Sequence, residues 1–116
     1  NYANPDMVGH TGNFKAAISA VEVIDNCLKK IVSKVEEKNS ILIITADHGN
    51  VECMKNYENQ QPHTAHTTKD VPLIIINAKN VKSLSNGRLC DVSPTILDLC
   101  GINKPSVMTG ETLINN

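Results

Sequence analysis

Residues 41–50, Ile-Leu-Ile-Ile-Thr-Ala-Asp-His-Gly-Asn, decide the fold class. The first five form a short apolar run rich in β-branched side chains, which suits a strand covered on both faces. Asp47 and His48 follow at once, and Gly49 allows the backbone to turn sharply behind them. Ligands of open α/β sheets collect beyond the carboxyl ends of strands, so this strand end is a candidate site. Taken alone, the Asp–His pair fits a structural or capping role equally well.

Upstream, residues 11–38 carry an amphipathic helix. Phe14, Ala17, Ile18, Val21, Ile24, Leu28, Ile31, Val32 and Val35 recur at steps of three and four and make one apolar stripe. Thr11 or Asn13 can cap its start, Lys34 and Lys38 suit its carbonyl end, and Asn39-Ser40 ends the pattern. Downstream, residues 71–76 read as a second buried strand, with Pro72 tolerated near its start. After a hinge-like stretch around Asn86-Gly87, CDVSPTILDLCG predicts a short helix. Ser93 is its expected cap, Pro94 its first residue, and Gly101 lies just past its end. Apolar strands between helices give an α/β layered fold with a mainly parallel sheet. Two or three strands are few for such a sheet, so the chain is expected to be a fragment of a larger domain or a module that needs a partner.

Composition narrows the function. The chain has 116 residues, 41% of them hydrophobic, and a net charge of -1. That is one small domain's worth of chain with no basic stripe, and 3% aromatics leave no stacking platform, so nucleic acid is not an expected partner. No apolar run approaches the roughly 20 residues that span a bilayer, so no membrane is expected either. Cys27, Cys53, Cys90 and Cys100 form neither a CxxC pair nor a zinc-finger spacing, and are expected as reduced thiols of a cytoplasmic protein.

All four histidines sit in clusters with loop-forming residues. Asp6 and His10 in NPDMVGH are four apart, which puts both on one face of a helical turn whose first position suits Pro5. His63 and His66 in PHTAHTT are three apart in a polar loop. Each cluster alone has a bland reading, an ordinary Asp–His ion pair or incidental loop histidines. Together they supply mixed oxygen and nitrogen donors for two divalent cations, a set that suits Mn or Zn better than Ca or Mg. Two-metal sites commonly serve phosphoryl chemistry.

These blocks carry a family resemblance. NYANPDMVGHTGNF, LIITADHGNVE, PHTAHTTKDVPLI and GRLCDVSPTILDLCGI, followed by MTGETLI, resemble successive blocks of the cofactor-independent phosphoglycerate mutases of the alkaline phosphatase superfamily. The resemblance runs through nearly the whole chain. It implies the C-terminal part of an alkaline-phosphatase-like layered α/β/α domain, residues 1–116 being an incomplete domain. It implies interconversion of 3-phosphoglycerate and 2-phosphoglycerate through a phosphoserine intermediate, with no bisphosphoglycerate cofactor. Two Mn2+ ions are implied, with Co2+ or Mg2+ as substitutes. Asp6, His10 and His66 match the ligands of one ion, and Asp47 and His48 those of the other. His63 matches a loop histidine that is not a ligand; it, Thr64 and Thr67 are expected to orient the ligands by hydrogen bonding. The nucleophilic serine has no match here and belongs to an N-terminal part, so this chain alone is expected to be inactive. The alternatives are another phosphomutase or phosphatase of the superfamily, or a stand-alone metal-binding module.

Overall fold

In a computed structural model, which describes residues 1–115, the chain forms two compact units, Asn1–Asn77 and Ala78–Asn116. The first opens with helix α1 (Asn4–Gly9), where Pro5 stands second, one place later than expected but still in the first turn. Gly12, at φ +68°, takes the left-handed conformation that releases the chain into α2 (Phe14–Glu37). Of the two candidate caps it is Asn13 that serves, its Oδ1 accepting from the Ala16 N–H at 3.1 Å. Thr11 instead donates its hydroxyl to the Val8 carbonyl at 2.6 Å. The helix closes at Lys38, and Asn39, at φ 48°, breaks the pattern where expected. Helix α1 packs on α2.

The covered seam of α2 is narrower than the stripe read from sequence. Ala17 is buried and Ile24, Leu28, Ile31, Val32 and Val35 are half-buried, whereas Phe14, Ile18 and Val21 are exposed. The covered residues step by seven, seven and four through Ala17, Ile24, Ile31 and Val35, and Phe14, Ile18 and Val21 all lie in the first third of the helix.

Strands β1 (Leu42–Thr45) and β2 (Leu73–Ile76) follow the two apolar runs, each starting one or two residues later than expected. They pair antiparallel, with Leu42 opposite Ile76 and Thr45 opposite Leu73. The expected mix of helix and strand is present, but the expected mainly parallel sheet is corrected for these strands. A parallel pair needs a crossover, usually helical. The connection between β1 and β2 holds no helix and instead folds back on itself through bridges at Gly49–Thr67 and Lys55–Pro62. Nor are the strands covered on both faces: Thr45 and Ile74 are exposed. Asn77, at φ 64°, ties the open end by donating Nδ2 to the Ser40 carbonyl at 2.7 Å.

The second unit contains β3 (Ser83–Leu84), a 3-10 turn (Leu89–Asp91), α3 (Val92–Leu99) and β4 (Ile114–Asn115). Strands β3 and β4 pair antiparallel, which the sequence patterns did not reveal because each is only two residues long. Helix α3 starts at Val92, so Ser93 is not its cap and Pro94 is its third residue. Both fit, because Pro94 still lies in the first turn, where N–H groups have no helical partner. The 3-10 turn leads straight into the helix. Gly101, at φ +66°, ends it as expected.

Asp91 organises this unit. Its carboxylate accepts from the Glu111 N–H at 2.9 Å, the Arg88 N–H at 2.7 Å and Arg88 Nη2 at 3.2 Å. Its carbonyl accepts from the hydroxyl of buried Thr95 at 2.7 Å, and that hydroxyl in turn accepts from the Leu113 N–H at 3.0 Å. The Glu111 N–H, then the Arg88 side chain and backbone, hold the Asp91 carboxyl well below the usual carboxylate range. A depressed folded-state pKa adds stability that is present above the unfolded value and lost as pH falls. Acid denaturation of the wild type and of Asp91→Asn should therefore differ most above about pH 5 and converge as pH drops below about 4. At Gly110, an added Cβ would lie 2.1 Å from the Cys90 carbonyl oxygen, a backbone atom that cannot step aside. Gly110→Ala should lower stability by roughly 1–3 kcal/mol, read as a reduced urea midpoint.

Candidate metal centre

The site lies within the first unit, where three segments meet. Helix α1 carries Asp6, with His10 capping its end; the turn after β1 carries Asp47 and His48; the returning limb of the loop carries His66. The turn is held against the returning limb by the Thr67 N–H, which donates to the Gly49 carbonyl at 2.9 Å. That backbone pairing sets His48 and His66 side by side, their rings stacked with centroids 3.8 Å apart and planes inclined by 24°.

Asp6 Oδ1 is the centre of the cluster. His66 Nε2 lies 2.9 Å from it and His10 Nε2 3.3 Å, and the two Nε2 atoms are 3.1 Å apart. The pitch of a helical turn brings Asp6 and His10 together, as their spacing predicts. His10 Nδ1 lies 2.7 Å from the Thr64 carbonyl, an acceptor, so Nδ1 carries the proton and donates it there. The lone pair of His10 is thereby left on Nε2, facing Asp6 and His66.

These three atoms form a triangle with sides of 2.9 to 3.3 Å. Neighbouring ligands about 2.1 Å from a common cation stand roughly 3 Å apart, so the triangle fits one divalent ion. His48 also belongs to the neighbourhood: donor atoms of Asp6, His48 and His66 all lie within 4.8 Å of one another. Asp47 points away into solvent, its side chain 88% exposed and Oδ1 3.7 Å from His48 Nε2. Of the five candidate ligands, four are gathered and Asp47 stands at the edge.

The expected orienting residues behave differently from one another. Thr64 acts through its carbonyl, not its hydroxyl. Thr67 donates its hydroxyl to Glu52 Oε1 and so braces the loop. His63 is half-buried, its N–H donating to the Met54 carbonyl at 3.0 Å, and its buried Nδ1 has no hydrogen-bond partner.

Two residues escaped the sequence reading. Asn50 is buried and donates Nδ2 to Asp6 Oδ1 at 2.8 Å. Glu52 accepts from the Asn50 N–H at 2.6 Å as well as from Thr67. Burial works against the Glu52 charge, but hydrogen bonds from Thr67 and from backbone N–H groups outweigh it and lower its pKa. The Asn50 amide is the main influence on Asp6, holding its carboxyl below the usual range against a smaller effect of burial, with the imidazoles of His10, His66 and His48 adding to it. The only signal for either residue was position, two and four places beyond His48 in DHGNVE.

The comparisons agree with this donor chemistry. A family model described as the metalloenzyme superfamily matches residues 1–104. A 2,3-bisphosphoglycerate-independent phosphoglycerate mutase of Acetivibrio thermocellus is 60% identical over 98% of this chain and 22% of its own length. One from Wolbachia pipientis is 59% identical over 99% of this chain and again 22% of its own length. A crystal structure of Leishmania mexicana phosphoglycerate mutase, determined at low cobalt concentration, superposes with a TM-score of 0.86. It is 32% identical and covers 99% of this chain and 24% of that one. The resemblance read from the motifs is thus met, and the chain spans about 22% of the length of the curated relatives it matches. On the family match, the chain belongs to the metalloenzyme superfamily.

Proposed function

We propose that this chain is the C-terminal, metal-holding part of a cofactor-independent phosphoglycerate mutase, interconverting 3-phosphoglycerate and 2-phosphoglycerate. The observation that carries the reading is the triangle of Asp6 Oδ1, His10 Nε2 and His66 Nε2, joined to 60% identity with a relative of that name. In this reading Asp6, His10 and His66 hold one Mn2+, and Asp47 and His48 contribute to a second. Co2+ or Mg2+ are the substitutes.

When bound, such ions supply positive charge that screens phosphate and lowers the pKa of an attacking hydroxyl. The chain's own residues prepare for them. Thr64 fixes the His10 tautomer so that Nε2 is free to ligate, and Asn50 keeps Asp6 ionised and aimed at the two imidazoles. The nucleophilic serine and the groups that grip the glycerate belong to the remaining N-terminal part of the enzyme, the partner this reading requires. A cytoplasmic location goes with it; among the described residues no helix is long and apolar enough to cross a membrane.

His66→Ala in the intact enzyme should lower mutase activity by about 100- to 1,000-fold, since it removes a group on which the preorganised charge of the site depends. Activity within a few fold of wild type, measured by coupled assay of 2-phosphoglycerate formation, would sink the assignment. Chelation should abolish activity, and Mn2+ added back should restore it. Full activity after complete metal removal, checked by elemental analysis, contradicts the reading.

A further inference from the structure

We infer that Asn50 is a positioning residue for the cation site, its side-chain amide fixing the direction in which Asp6 presents its carboxylate. The inference rests on the reading of Asp6, His10 and His66 as ligands, and extends it to a residue that no motif assigned.

Asn50 is 6% exposed, and its Nδ2 meets two acceptors of one residue, Asp6 Oδ1 at 2.8 Å and the Asp6 carbonyl at 3.4 Å. Both are acceptors, so the amide cannot turn over without setting oxygen against oxygen. Its own Oδ1 is buried with no hydrogen-bond partner. Leaving a buried acceptor unpaired costs free energy, and a side chain serving packing alone would not need it. The orphan atom is the consequence of committing the NH2 group to Asp6.

Two further features hold the residue in place. The backbone N–H of Asn50 donates to Glu52 Oε2 at 2.6 Å, and the other oxygen of Glu52 accepts from Thr67, the neighbour of His66. On the opposite side, α1 approaches so closely that a Cβ on Gly9 would fall 2.0 Å from Asn50 Oδ1. The amide is therefore trapped between Gly9 and the Glu52-braced turn, and it points Oδ1 of Asp6 toward both imidazoles.

Calorimetric titration of the metal-free intact protein with Mn2+ tests this in the wild type and in Asn50→Leu, which keeps the bulk and removes the donor. The Mn2+ dissociation constant should rise about 10- to 100-fold in the variant. Thermal unfolding in excess chelator is read beside it: a purely structural role lowers the metal-free midpoint and leaves the affinity of the folded protein unchanged. Unchanged affinity in folded Asn50→Leu overturns the inference and spares the metal centre. Absence of Mn2+ binding by the wild type overturns the metal reading and the inference with it. Where Asn50→Leu does not fold, Asn50→Ser removes the amide without adding bulk and is judged by the same affinity.

Discussion

The hydrogen bond from the Thr67 N–H to the Gly49 carbonyl, 2.9 Å long, is the constraint on which the site depends. It joins the outgoing and returning limbs of the excursion between β1 and β2. One residue before Gly49 stands His48, and one before Thr67 stands His66. Pairing the backbones at this point therefore brings two imidazoles from distant places in the chain into a stack. Glu52 reinforces the junction with its side chain, taking the Thr67 hydroxyl and the Asn50 backbone N–H on its two oxygens. The antiparallel β1–β2 pair fixes where both limbs begin and end.

Asp6 and Asp91 show how environment separates two roles for one side chain. Asp91 is surrounded by donors: both its oxygens receive N–H groups from Arg88 or Glu111, and a guanidinium lies beside it. A carboxylate so occupied has no lone pairs to spare and serves as a structural anchor. Asp6 has one amide donor, and its other neighbours are imidazole nitrogens that can act as ligands themselves. Its charge is maintained but not consumed. That difference is what qualifies Asp6 and not Asp91 for coordination.

Local features of the sequence were the legible ones. The pitch of one helical turn joined Asp6 to His10, and Asn39 and Gly101 ended their helices with positive φ. The direction of strand pairing was not legible, because an apolar run such as Leu73–Ile76 reads the same whichever way its neighbour runs. The helix start at Val92 was missed because the preceding 3-10 turn, not a side-chain cap, leads into it. His66 could be linked to Asp6 only through the family resemblance, since the two lie 60 positions apart and the chain between them carries no local signal of the contact. Asn50 and Glu52 were invisible for the same reason: their partners are set by the fold-back of the loop.

The close approach of Gly9 to Asn50 also ties the histories of two positions together. Any side chain at position 9 would occupy the space of the Asn50 amide oxygen. A larger residue at position 9 is then tolerable only beside a smaller one at position 50, and a smaller one at position 50 gives up the contact with Asp6. Drift at either position is therefore blocked by the other. A pair so interlocked should change together across lineages or not at all.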